Sequence, residues 1–187
     1  MNEDDRYFDY LKGRSRAALI YRRWFLYPRL CRHLRGDAVD IGCGVGDMLA
    51  FRPRTVGADV NPRTVEYCRR RGLKAVLMER DSLPFDRHSF DSAILDNVLE
   101  HIVDPRRLLE ETHRILKPGG VVLVGVPGER GYAWDSDHKV YYDEPTLVRT
   151  MQKHGFTHQT GFHVPWRSAA LSARVRQYCV YALFRAT

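Results

Sequence analysis

The sequence predicts a doubly wound α/β domain, a mainly parallel sheet with helices on both faces. Three observations carry this reading. Short apolar runs recur along the chain, and between them lie stretches with helical periodicity and clear stop signals. The first run, AVDI (38–41), leads straight into GCGVG (42–46). Four successive apolar runs end in or beside an acid: Asp40, Asp59, Asp81 and Asp96. Strands that alternate with helices make a parallel sheet covered on both sides.

The elements follow in order. RSRAALIYRRWFLYPRLCRHL (14–34) reads as helix, with an apolar stripe at Ala17, Ile20, Tyr21, Trp24, Tyr27 and Cys31. Pro28 kinks or restarts it. AVDI is a short buried strand, and GDMLAFR (46–52) is a short helix that ends before Pro53. TVGAD (55–59) is strand two. In NPRTVEYCRRRG (61–72), Asn61 caps a helix, Pro62 takes its first position and Gly72 stops it. KAVLMER (74–80) and SFDSAILD (89–96) are strands three and four. DPRRLLEETHRILKPGG (104–120) is a helix with Asp104 as its cap and Pro-Gly-Gly as its stop. VVLVGVP (121–127) is strand five, DEPTLVRTMQKHGF (143–156) a further helix, and THQTGFHV (157–164) and QYCVYALFRA (177–186) the last two strands.

Composition narrows the function classes. The 187 residues are 44% hydrophobic and 28% charged, which suits one soluble globular domain. Cys31, Cys43, Cys68 and Cys179 form no CxxC pair and no zinc spacing, so free thiols in a cytoplasmic protein are expected. The acidic start MNEDDRYFDY is unlike a signal peptide, and no apolar run reaches the roughly 18 residues of a membrane span. The formal net charge of +7 is uneven: residues 12–35 hold eight basic residues and no acid, and residues 145–187 hold six and none. Such ends suit anionic partners or solvated helix faces.

Ligands of doubly wound sheets bind at the carboxyl ends of the strands, where the strand order reverses. Gly42, Gly44 and Gly46 fall there, and glycine lets a ligand approach where a Cβ would clash. Asp59 at the end of strand two suits ribose hydroxyls, as in nucleotide folds. Asp81 and Ser82 end strand three, and Asp96 and Asn97 end strand four. Acids at four neighbouring strand ends point to one ligand with hydroxyl and amino groups along its length.

VDIGCGVGD, GADVNPRTVEYC, ERDSLPF, FDSAILDNVLEH and LLEETHRILKPGGVVLVGVP, in this order and spacing, resemble the class I S-adenosylmethionine-dependent methyltransferases, most of all the type 11 family. The resemblance covers residues 37 to about 127. It implies a Rossmann-like seven-stranded sheet whose last strand is antiparallel, with S-adenosyl-L-methionine as cofactor and S-adenosyl-L-homocysteine as product. By the same resemblance Asp40, Gly42 and Gly44 line the methionine part. Asp59 binds both ribose hydroxyls and Val60 flanks the adenine. Asp81, beside Ser82, accepts from the adenine amino group, and the Leu83 peptide lies close to the ring. Asp96 and Asn97 sit near the sulfonium. Tyr7, Tyr10 and Arg14 are candidates to close over the methionine carboxylate.

The segment PGERGYAWDSDHKVYYDE (127–144) is where this family recognises its acceptor. His138 is the first candidate base, since its pKa can lie near operating pH. Asp135 or Asp137 could orient it, and a solvated loop is the plainer alternative. His101, one helical turn after Asn97, is the second candidate. No complete metal-ligand set is legible, and Asp135, Asp137 and His138 form only a partial one. The acceptor expected is a small molecule or glycan, anionic or lipid-linked, methylated on oxygen. Nucleic acid is disfavoured because strand four ends in DNVL without an NPPY-like motif. An RNA or other macromolecular acceptor, and a non-catalytic cofactor-binding module, remain the alternatives. The chain divides into a helical segment, 1–35, and the catalytic domain, 36–187. The segment acts as a lid over the cofactor or lies on an anionic membrane surface.

Overall fold

The computed structural model describes residues 8, 9 and 11–187. Tyr7 and Tyr10 lie outside the described residues. Helix α1 (Arg16–Tyr21) runs through a π-helical turn, Arg22–Leu26, into α2 (Tyr27–Cys31). There follow β1 (Ala38–Ile41), α3 (Asp47–Phe51), β2 (Thr55–Asp59), α4 (Pro62–Arg70), β3 (Ala75–Leu77) and β4 (Phe90–Asp96). A 3-10 turn, Leu99–His101, precedes α5 (Arg106–Ile115) and β5 (Leu116–Pro127). Then come α6 (Glu129–Trp134), α7 (Glu144–Lys153), β6 (Phe156–Val164), α8 (Ala169–Arg174) and β7 (Cys179–Ala186).

The seven strands form one sheet in the order β3-β2-β1-β4-β5-β7-β6. β1 to β5 pair in parallel, and β7 runs antiparallel to both β5 and β6. The expected architecture is therefore the observed one. Strand order reverses between β1 and β4, which opens a crevice at their carboxyl ends.

Alternation along the strands builds two cores. Val39, Ile41, Ala93, Leu95, Val122 and Val124 face one side, where Leu108, Leu109 and Ile115 of α5 and Leu147 and Met151 of α7 cover them. Ile94, Leu123 and Tyr181 face the other, under Leu26, Tyr27 and Leu30. Local signals fix the helix starts. Asn61 accepts from the Arg63 N–H at 2.9 Å, and Asp143 accepts from the Thr146 N–H at 2.8 Å. Asp104 accepts from the Arg106 N–H at 3.1 Å.

Several sequence expectations change. Only part of the apolar stripe of the N-terminal helix is on the buried face: Ile20 and Trp24 are 59% and 69% exposed, whereas Tyr27 is buried with Leu26, Leu30 and Leu34, and Tyr21 and Cys31 pack against them. The π turn adds residues to a helical turn, so the face that meets the sheet changes at Arg22–Leu26. Strand three is shorter than KAVLMER. LKPGG opens β5 instead of stopping a helix, with Lys117 Nζ held by Asp91 at 2.8 Å. The short helices α6 and α8 carry no strong periodicity and were not expected.

Candidate active site

The crevice opens into a cavity of about 840 Å³ bounded by Asp40, Gly42 and Gly44 of the β1 end, Asp96 and Asn97 of the β4 end, and His101 and His138 beyond. Small-molecule sites span roughly 300–1,000 Å³.

The glycine loop is fixed by the chain itself. Gly42 and Gly44 have φ of +76° and +51°, a region that side chains avoid. A Cβ at Gly42 would also stand 2.6 Å from Val98 Cγ2. Gly42→Ala is expected to lower stability by about 1–2 kcal/mol, read as a lower midpoint in urea unfolding. An unchanged midpoint would show the loop to be adaptable.

Asp59, buried at the end of β2, clamps this loop. Its Oδ2 accepts from the Gly44 N–H at 2.7 Å and its Oδ1 from the Asn61 N–H at 2.9 Å. Charge-assisted bonds of this kind are the stronger class.

At the β4 end, Asn97 adopts φ +59°, which Asn tolerates better than most residues. Asp96 Oδ1 accepts from Tyr181 Oη at 2.7 Å and from Asn97 Nδ2 at 2.9 Å. Its Oδ2 lies 3.4 Å from Arg22 Nη2, so the N-terminal helix reaches into the cavity. Arg22 Nε also donates to Tyr27 Oη at 2.8 Å, and Arg14 Nη1 pairs with Asp47 Oδ2 at 2.9 Å. Burial, then the neighbouring Asp96 charge, pushes the Asp40 carboxyl well above its ordinary range, and Asp59 adds to this while Arg22 opposes it. Crowded buried carboxylates favour a cationic ligand.

Beyond Asn97, the backbone carbonyl of Glu100 accepts from Lys139 N at 2.7 Å and Val140 N at 3.0 Å. This pairing brings His138 beside Glu100 and His101, and the two imidazole centroids are 4.7 Å apart. His138 Nδ1 donates to the Tyr132 carbonyl at 2.9 Å, and its ring stacks on Tyr132. His101 Nδ1 lies 3.2 Å from Asp137 Oδ2. Asp137 therefore orients His101, not His138, and Asp135 Oδ2 stays 4.0 Å from His138 Nε2. Burial, then the adjacent His138, lowers the His101 pKa. Burial pushes the Glu100 carboxyl up to about 8.

The site residues of the β2 and β3 ends do not line this cavity. Val60 is 48% exposed beside the buried Asp59. Asp81 and Ser82 lie in an exposed turn closed by a Glu79–Ser82 bridge. Leu83 is buried, and its N–H donates to Glu111 Oε2 at 2.9 Å. Arg114 ties the same segment to α5 through the Leu83 and Phe85 carbonyls. Sequence reasoning missed Tyr27, Tyr181 and Glu100 as cavity neighbours. Glu100 had a signal in its place directly before His101.

Residues 39–124 match the family model described as a methyltransferase domain. An uncharacterised protein of Methanocaldococcus jannaschii is 30% identical over 128 residues, 67% of this chain and 62% of that protein. A ubiquinone/menaquinone biosynthesis C-methyltransferase of Idiomarina loihiensis is 32% identical over 122 residues, 56% of this chain and 49% of that one. The chain thus spans about half to three fifths of the length of these two relatives. Among solved structures, an S-adenosylmethionine-dependent methyltransferase of Thermotoga maritima superposes with a TM-score of 0.70 at 22% identity. That match covers 92% of this chain and 97% of the other.

Proposed function

Residues 39–124 of this chain are a type 11 methyltransferase domain, and on that premise we propose that the protein transfers a methyl group to a hydroxyl oxygen of a small-molecule or glycan acceptor. One observation supports this above the others: the switch-point cavity gathers the glycine loop, the β4 carboxylate and the histidine pair into one space.

S-adenosyl-L-methionine supplies an electrophilic methyl group on a sulfonium centre and leaves as S-adenosyl-L-homocysteine. The residues fit it, because the buried carboxylates favour a positive charge and the Gly42 and Gly44 backbone offers close approach. Asp40, Gly42 and Gly44 would hold the methionine part, with Arg14 at its carboxylate. Asp59 would take the ribose hydroxyls. Val60, Asp81, Ser82 and Leu83 would border the adenine. Asp96 and Asn97 would border the sulfonium.

His138 and His101 each commit Nδ1 to an acceptor, so each neutral ring keeps its lone pair on Nε2. His138 Nε2 would take the proton of an acceptor hydroxyl. His138→Ala is then expected to lower turnover about 100-fold while S-adenosylhomocysteine binds as before. Should His101→Ala lose turnover and His138→Ala keep it, the base moves to His101.

The helical segment frames the entrance. Leu11, Arg14, Ala18, Tyr21 and Arg22 line the cavity, consistent with a lid. Its outer face supports a second reading, a lipid-linked acceptor taken from an anionic surface. Leu19, Ile20, Trp24 and Phe25 are exposed in a stretch that also carries Arg16 and Arg23. One relative is named as a ubiquinone/menaquinone biosynthesis C-methyltransferase, whose methylated atom is carbon and not oxygen. Among the described residues no helix is long and apolar enough to cross a membrane. Flotation with anionic vesicles decides between these readings. Salt-sensitive binding lost in Trp24→Ala supports the surface, and no binding leaves the lid.

A further inference from the structure

We propose that Glu100, His101 and His138 form a binding site for a divalent transition-metal cation, Zn2+ by the chemistry of its donors, at the acceptor end of the cavity. One donor atom from each of the three residues lies within 4.8 Å of the other two. The proposal deepens the reading of the cavity as a methyl-transfer site, because it says what meets the acceptor there.

Four observations support it. First, Glu100 is fully buried and neither of its carboxylate oxygens has a hydrogen-bond partner. A buried polar atom left unpaired is costly, and native interiors rarely keep one without a ligand, water or ion. Second, the nearest group, His138 Nε2, lies 3.9 Å from Glu100 Oε1, too far for a hydrogen bond. A cation between them would bridge that gap, since donors around tetrahedral zinc stand roughly 3.3 Å apart. Third, both imidazoles are held through Nδ1, His138 by the Tyr132 carbonyl and His101 by Asp137. That arrangement leaves Nε2 unprotonated and fixes each ring, as the outer partners of metal-bound histidines do. Fourth, two imidazoles and one carboxylate are a zinc donor set that leaves one position open.

The open position faces the cavity, since His101 and His138 line it. An acceptor that occupies it offers an oxygen ligand, so the acceptor class narrows to hydroxyl or phenol compounds. A cation held there by Glu100, His101 and His138 would acidify a coordinated acceptor hydroxyl, and in that state His138 would serve as ligand and not as base.

Titration of chelator-stripped full-length protein with Zn2+ and with Co2+ tests the site. Calorimetry is expected to show one Zn2+ per chain, and Co2+ the visible absorption of a low-coordinate nitrogen-oxygen set. Glu100→Gln and His138→Ala should each weaken Zn2+ at least tenfold, while His154→Ala at the end of α7 should not. Circular dichroism verifies folding; if Glu100→Gln does not fold, His101→Gln takes its place. No stoichiometric Zn2+, or Zn2+ bound equally well by these variants, overturns the site. A parallel S-adenosylhomocysteine titration separates the two claims. Cofactor binding without Zn2+ sinks only the cation site. Zn2+ binding without the cofactor leaves the cation site standing and sinks methyl transfer.

Discussion

Asp59→Ala is expected to weaken S-adenosylhomocysteine binding by about 100-fold or more. Hydrogen bonds to a charged group contribute about 1.5–3 kcal/mol each. Two ribose hydroxyls lost together therefore correspond to at least two powers of ten. The same carboxylate also holds the Gly44 and Asn61 amides, so its removal loosens the loop beneath the methionine. Asp59→Asn keeps one of these two backbone bonds, through its amide oxygen, and loses the other, where its NH2 would face an N–H, so it should fall between the two. Calorimetry should rank the wild type first, Asn second and Ala last. An Asp59→Ala variant that binds with near wild-type affinity would remove Asp59 from the cofactor site.

The second large effect concerns the N-terminal segment, whose two halves should behave differently. Leu30 is completely buried against the Ile94, Leu123 and Tyr181 face of the sheet. Leu30→Ala is expected to cost about 2–5 kcal/mol, which lowers the thermal midpoint by roughly 5–15 °C in a domain of this size. Trp24 is 69% exposed, and Trp24→Ala should stay within about 0.5 kcal/mol of the wild type. Deletion of residues 1–25 should leave a folded domain with weaker cofactor binding, because the cavity loses Arg14, Tyr21 and Arg22. Deletion of residues 1–35 should not fold, because it strips one face of the sheet. If the longer deletion folds as well as the shorter, Leu26–Leu34 is an appendage and the packing argument fails.

The site was partly legible for a definable reason. The proposed cofactor half is sequence-local: Asp40, Asp59 and Asp96 stand at or beside strand ends, which are readable from apolar periodicity and turn residues, whereas Asp81 falls in a turn beyond β3. The glycines declare themselves, since positive φ is what the residue is for. The acceptor half depends on pairs far apart in the chain. Asp137 reads as the natural neighbour of His138, yet the turn that carries both points Asp137 at His101, 36 residues earlier. Glu100 looks like one more helical acid. Only the backbone pairing of Lys139 and Val140 with its carbonyl shows that it is buried beside two imidazoles.

The sequence by itself determined the order of the seven strands, the caps at Asn61 and Asp104, and the acids Asp40, Asp59 and Asp96 at or beside the ends of β1, β2 and β4. These rest on interactions within a few residues, where spacing and chemistry are enough. Tertiary structure decided which face of the N-terminal helix is buried, because a π turn shifts the face without altering the composition. It also decided where Arg22 reaches, that the Leu83 N–H is taken by Glu111, and that Glu100, His101 and His138 converge. Each of these depends on packing between segments distant in the chain, and the local hydrophobic period carries no record of such partners.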